Sequence, residues 1–118
     1  MYGLKSDIDL NFLIGREVIQ IAIGVYQIIF AFDEDTTLSV EAEFLYSDGR
    51  TESTWKPGAS HIAASTVSLL GATVVSFERN ESGTLELLFS NGHRLVVRDS
   101  SKEFESYHIT RPGETIVV

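Results

Sequence analysis

Asp33-Glu34-Asp35 is the densest group of acidic side chains in the sequence, and oxygen-rich runs of this kind can hold calcium or magnesium. The segment lacks the longer ligand spacing and the turn glycine of an EF-hand loop, so it reads as a solvated hairpin tip able to meet a basic protein. Glu41 and Glu43 stand two apart, which on a strand puts both carboxylates on one side, as a general acid-base pair requires. Any exposed strand face gives the same spacing, so they join Asp33, Glu34 and Asp35 as candidate partner-binding residues. His61, His93 and His108 fall in unrelated segments, without the His-x-His or i, i+4 spacing of a zinc site. No Gly-x-Ser-x-Gly elbow and no phosphate-cradling glycine loop occurs, and there is no cysteine. Neither catalysis nor a cofactor is expected.

Trp55 and Tyr107 each precede a basic-Pro-Gly element, Lys56-Pro57-Gly58 and Arg111-Pro112-Gly113. Two readings stay open for them: core aromatics that close each half, or a stacking platform in a ligand-binding or hydrolase pocket between the halves. The proline of each element is expected to end a strand, because it cannot donate to a ladder.

Stepping outward to the chain as a whole, 118 residues suffice for one domain with a real core, expected over 1–118. The net charge is −8, and residues 1–58 carry 4 basic against 10 acidic side chains while the remainder carry 5 against 7. Such a field repels phosphate backbones, so nucleic acid is not an expected partner and a basic protein is. No apolar run approaches the length that crosses a bilayer. The missing cysteines lean toward a reducing compartment, with the cytoplasm expected.

The elements that must position these residues come as a repeat. Leu13-Ile14-Gly15 lies on Leu69-Leu70-Gly71 at a shift of 56, carrying Val18, Ile19 and Ile21 onto Val74, Val75 and Phe77. At a shift of 57, Ile28, Phe30, Phe32, Leu38 and Val40 fall on Leu85, Leu87, Phe89, Leu95 and Val97, and at 55 the two Pro-Gly elements coincide. The repeat is thus read over 13–58 and 69–113. Alternating apolar residues predict strands over 16–23, 26–32, 36–46, 50–55, 72–79, 84–89, 93–98 and 106–110, with a tail at 115–118. Short helices ending in a left-handed glycine are expected before each repeat, the better one at Ser60 to Leu70, with Ile62, Ala63, Thr66, Leu69 and Leu70 on one face.

Burial fixes registers. Gly24-Val25 is read as a glycine-first turn that sets Ile21 on Ile28 and Ile19 on Phe30, with Phe77 on Leu85 and Val75 on Leu87 in the second copy. Asp48-Gly49 as a two-residue turn pairs Ala42 with Trp55. For Ser90-Asn91-Gly92 a three-residue loop is required, since a two-residue Asn-Gly turn would set Leu85 and Phe89 beside arginines; Gly92 is then left-handed. By the repeat, Asp35 takes the place of Gly92 and is predicted to have a positive φ. The second face of the first half, with Val18, Ala22, Ile29 and Ala31, is too apolar to stay wet and is a candidate homodimer surface.

The stretch LLGATVVSFERNESGTLELLFSNGHRLVVRDSSKEFESYHI, with its Leu-apolar-Gly-x-x-Val opening and Phe-x-Asn-Gly-x-x-Leu-x-Val hairpin, resembles a family of small bacterial domains of unknown function. That resemblance brings no catalytic residues. Small acidic domains of similar appearance include immunity proteins of toxin systems, which is an analogy. The expected architecture is mainly β: two repeated antiparallel meanders forming a barrel or sandwich about a pseudo-two-fold axis, with one or two short helices. The expected function is a non-enzymatic, acidic protein-binding module of immunity-inhibitor type. A structural homodimer and a ligand-binding protein or hydrolase stand as alternatives.

Overall fold

The computed structural model describes residues 9–58, 60–80, 83–98 and 107–118, with residues 60–64 described by their backbone alone. A 3-10 turn, Asn11–Leu13, leads into β1 (Val18–Ile23), β2 (Ile28–Phe32) and β3 (Thr36–Val40), followed by the hairpin β4 (Phe44–Ser47) and β5 (Glu52–Trp55). A 3-10 helix, Ser60–Leu69, opens the second half, which continues through β6 (Val74–Arg79), β7 (Leu85–Phe89), β8 (Arg94–Val97), β9 (Tyr107–Arg111) and β10 (Glu114–Val117). All pairings are antiparallel. The strands form two five-stranded sheets, β1-β2-β3-β9-β10 and β5-β4-β8-β7-β6, which face each other as a sandwich without barrel closure.

Each half contributes a three-stranded meander to one sheet and its closing hairpin to the other. Exchanging β1-β2-β3 with β6-β7-β8, and β9-β10 with β4-β5, leaves the strand order of both sheets unchanged. Backbone hydrogen bonds obey the same exchange: Gly15 N–H donates to Val74 O (2.7 Å) as Gly71 N–H does to Val18 O (2.8 Å), and Val18 N–H to Ala72 O (2.9 Å) as Val74 N–H does to Arg16 O (3.0 Å). Both glycines are left-handed, φ 88° and 85°, a conformation that glycine adopts at no steric cost. Glu17 and Thr73 pair as an isolated bridge where the halves meet.

A single apolar cluster lies between the sheets and draws on both, including Phe30, Phe32, Leu38, Phe44, Trp55, Leu85, Leu87, Phe89, Tyr107 and Ile109. Inward positions alternate cleanly along β2, β3, β7 and β8, the period-two signature of a strand with one dry face. Leu10 and Leu13 are buried, as are Thr66 and Leu69 at the matching places; three-residue spacing is what one side of a 3-10 turn presents.

Several registers differ from those the sequence predicts. A bulge between Val18 and Gln20, repeated between Val74 and Ser76, sets two residues against one on the partner strand. It turns Val18 and Val74 inward, each 1% exposed, and leaves Ile19 and Val75 outside at 57% and 46%; Ile21 and Phe77 pack at the rim of the core. Beyond the bulge the first hairpin pairs Ile21 with Phe30 and Ile23 with Ile28, two residues from the predicted register, so the turn is Val25-Tyr26. Gly24 is not left-handed, which removes the basis for a glycine-first turn. The second copy shifts alike, with Phe77 on Leu87. In the β4-β5 hairpin Phe44, not Ala42, opposes Trp55, because Asp48 Oδ1 accepts from the N–H groups of Arg50 and Thr51 (both 2.8 Å) and Gly49-Arg50 makes the turn. Beyond the bulges, which do reverse faces at Val18-Ile19 and Val74-Val75, these hairpin registers are off by two residues, which preserves the faces.

Two further corrections concern connectivity. The predicted strand 36–46 is two strands in different sheets, broken at Glu41-Ala42-Glu43. The Pro-Gly elements are not equivalent: Pro112-Gly113 turns between β9 and β10, whereas Pro57-Gly58 follows β5. The pairs Val40↔Tyr107 and Phe44↔Val97 show that Tyr107 matches Phe44, a shift of 63. Leu70, expected on the inner helical face, is 46% exposed, while Ile62, Ala63, His61 and Ser106 lie outside the described side chains.

The predicted three-residue loops hold. Phe89 N–H donates to His93 O (2.9 Å), Leu87 pairs with Leu95 and Leu85 with Val97, and Gly92 has φ 85°. Asp35 has φ 51°, as the repeat predicts, and Glu34 adopts φ 57° beside it.

Candidate functional site

The loop end of the first sheet gathers groups that the sequence keeps far apart. Asp33 N–H donates to Glu17 O (3.0 Å) and Asp33 Oδ1 accepts from Glu17 N–H (3.1 Å), so this carboxylate anchors the β2-β3 loop to the start of β1. Buried Thr36 donates its hydroxyl to Glu34 O (3.2 Å). Glu34 and Asp35 are thereby held in consecutive left-handed conformations that L-residues rarely adopt, with both side chains exposed.

Beside this loop opens a cleft of about 510 Å³ lined by Phe12, Ile14, Arg16, Glu34, Thr36, Arg111 and Pro112, within the range of ligand-sized pockets. Its lining mixes the apolar side chains of Phe12, Ile14 and Pro112 with the charged Arg16, Glu34 and Arg111. The Arg111 guanidinium lies 4.3 Å over the Phe12 ring and its Nε donates to Glu114 Oε1 (2.8 Å). Arg16 reaches Asp33 at 3.6 Å, while its buried Nε has no hydrogen-bond partner. The lining itself carries two guanidinium groups and one carboxylate, Glu34. Each arginine is paired with an acidic residue beside the cleft, Arg16 with Asp33 and Arg111 with Glu114, which leaves Glu34 and the neighbouring Asp35 as the carboxylates outside these ion pairs.

The two-fold exchange places a twin at the other end. A cleft of about 320 Å³ is lined by Ser68, Leu70, Gly71, Ala72, Ser90 and Asn91, the counterparts of Phe12, Ile14, Gly15, Arg16, Asp33 and Glu34. Here the aromatic and the charges are gone. Tyr46 Oη contacts Ser68 Oγ (2.6 Å) and is hydrogen-bonded to His93 Nδ1; Ser68 Oγ also donates to Ser65 O (3.0 Å) and lies 3.4 Å from His93 Nδ1. A serine, a tyrosine and a histidine in contact suggest nucleophilic chemistry, but the neighbouring N–H groups of Leu70, Gly71 and Ala72 already donate to Val67 O, Val18 O and Leu69 O. These three N–H groups are therefore not free to stabilise an oxyanion. The network instead ties the 3-10 helix to β4 and β8.

Other sequence candidates are dispersed. Glu41 and Glu43 sit at the corner between β3 and β4, with Glu43 Oε1 at 3.8 Å from Arg98; the five residues of β3 separate them from Asp35 by roughly 17 Å. The five carboxylates therefore form two clusters. Val18 belongs to the core and leaves the proposed dimer face, whereas Ala22 is exposed and Ile29 and Ala31 are half-buried on the outer side. Trp55 and Tyr107 are fully buried. Trp55 stacks on Phe44 with ring centres 5.3 Å apart and Tyr107 donates its hydroxyl to Gly83 O (2.6 Å), and neither lines the two clefts. Among the described residues no group of three or more His, Asp or Glu is arranged for a metal, and no helix is long and apolar enough to cross a membrane.

A family model described as "Family of unknown function (DUF6188)" matches residues 10–118. The chain belongs to this family. No curated protein and no solved structure matches it. The DUF6188 match runs from Leu10 to Val118, both buried in the common core, and so takes in both sheets and both clefts. Of the cleft residues in this DUF6188 member, only Glu34 was a sequence candidate. Arg16 and Arg111 come from opposite ends of the chain, and the one available signal was the contrast between repeats, arginine at 16 against alanine at 72.

Proposed function

We propose that this chain is a non-enzymatic protein-binding module that receives a basic side chain with an apolar neighbour from its partner. The carrying observation is the 510 Å³ cleft, apolar at Phe12, Ile14 and Pro112, beside two carboxylate residues held in left-handed backbone. Left-handed residues outside glycine are costly and concentrate where a site needs a side chain held in place. The chain's charge of −8 draws in a basic partner from a distance, and an immunity-type inhibitor is one form that such a role takes.

The test is an NMR titration of the labelled chain with synthetic hexapeptides bearing Arg or Lys beside Leu or Phe, against the same peptides with Glu in place of the basic residue. Basic peptides should shift the amides of Phe12, Ile14, Glu34 and Asp35, bind more weakly as salt rises, and lose about tenfold in affinity on combined Glu34→Lys and Asp35→Lys substitution. Equal binding of acidic and basic peptides, or affinity unchanged in the double variant, overturns the reading.

A further inference from the structure

We propose that the outer face of the β1-β2-β3-β9-β10 sheet joins two copies of this chain. Strand registers place Gln20 and Ala22 opposite Ala31 and Ile29, Ile29 and Ala31 opposite Ser39 and Thr37, and Val117 opposite His108. No Asp, Glu, Lys or Arg occupies an outward position on these five strands, in a chain where such residues make up 22%. The opposite sheet shows the contrast, since Glu86 and Arg94 form an ion pair on its outer side at 2.8 Å.

Charge selects the occupant. Two molecules of −8 each repel, so copies can meet closely only through a surface to which neither brings charge, and this face is such a surface. Most of its polar groups are short hydroxyls, and Gln27 Nε2 donates to Ser39 Oγ at 2.6 Å; Gln20 and His108 are the longer polar side chains that a partner would cover. A second copy presents the same flat row of Ala22, Ile29 and Ala31 about a two-fold axis, the sheet-on-sheet geometry that interiors use. Five strands spaced by about 4.8 Å, each presenting about 17 Å of length, give a face of roughly 400 Å². Two such faces bury on the order of 800 Å², the size of a weak, transient association rather than a permanent one. The dimer is therefore expected to be weak and to populate only toward the top of a micromolar-to-millimolar concentration range.

Sedimentation velocity from about 10 µM to about 1 mM, at low and high salt, tests this. The expected result is a monomer–dimer equilibrium that tightens as salt screens the mutual repulsion, the reverse of the salt response expected for the cleft. Ile29→Lys and, separately, Ala31→Glu should keep the circular dichroism of the parent and sediment as monomers throughout. If Ile29→Lys fails to fold, Ala22→Glu at an exposed position replaces it. The combined Glu34→Lys and Asp35→Lys variant should retain the dimer. Monomers at about 1 mM in high salt, or a dimer that survives both face substitutions, overturn the proposal.

Discussion

Glu17 and Thr73 face one another where the two halves meet, and each has its backbone N–H capped by a hairpin loop from its own half, Glu17 by Asp33 Oδ1 at 3.1 Å and Thr73 by Ser90 Oγ at 3.0 Å. The return bonds match as well, Asp33 N–H to Glu17 O at 3.0 Å and Ser90 N–H to Thr73 O at 2.8 Å. Carboxylate and hydroxyl do the same work here, because all that the position asks is an acceptor one side chain long.

Removing that acceptor should be costly. Asp33→Ala is expected to lower the unfolding free energy by about 1–2 kcal/mol and Ser90→Ala by about 1 kcal/mol, read from urea midpoints. Asp33→Ser, which copies the other half, should recover most of the loss. An alanine variant as stable as the parent would show that water replaces the acceptor without penalty.

Glu34 and Asp35 hold φ angles of 57° and 51° where the other half uses Gly92 for its left-handed residue. Glutamate and aspartate bear steric strain there that glycine avoids, partly offset by glycine's greater entropy loss. Glu34→Gly and Asp35→Gly should each raise stability, by about 0.5–1 kcal/mol, while weakening the basic peptides. A lowered thermal midpoint in both variants would contradict the strain argument.

Tyr46 ties its hydroxyl to His93 and to Ser68, which lines the second cleft. Burial raises its phenol pKa above the ordinary value, more than the Ser68 hydrogen bond lowers it, and Asp48 nearby raises it further. The folded state thus holds this proton more tightly than the unfolded chain, so the associated stability is complete below about pH 10 and falls as pH climbs past it. Tyr46→Phe should flatten that alkaline decline and cost about 1–2 kcal/mol at neutral pH, because Ser68 and His93 lose their partner. At the acid end the sign reverses: the N–H groups of Thr51 and then Arg50 lower the Asp48 carboxyl, giving a contribution present above the ordinary carboxylate range and lost as pH drops toward the folded value. Urea midpoints across pH check both limbs, and an unchanged alkaline slope in the phenylalanine variant would discard the assignment to Tyr46.

What could be read from the sequence divides along physical lines. The Phe89-to-His93 loop was legible because the rival register would have set leucines against arginines, and from it the repeat carried a positive φ to Asp35. The bulges were hidden, since Val18-Ile19 and Val74-Val75 offer two equally apolar residues and either can be the inward one. The corner at Glu41-Ala42-Glu43 was hidden for a different reason: Thr36, Leu38, Val40, Ala42, Phe44 and Tyr46 are all buried, so the alternation runs unbroken while the chain changes sheets. The Pro-Gly match misled because residues inserted between Val97 and Tyr107 displace the second copy's closing hairpin, and the motif falls at a turn in one half and after a strand in the other. The cleft left only the contrast of Arg16 with Ala72 in the sequence, since Arg111 reaches Phe12 only through the pairing of β9 with β3.

That same pairing governs how the molecule can come into being. The inner edge of β3 waits for residues Tyr107 to Thr110, which are made long after it, so the first half emerges with an open flank it cannot close by itself. A ladder between strands this distant along the chain makes for slow closure. Each half expressed separately is therefore expected to leave that flank unpaired, and a mixture of the two halves to close it.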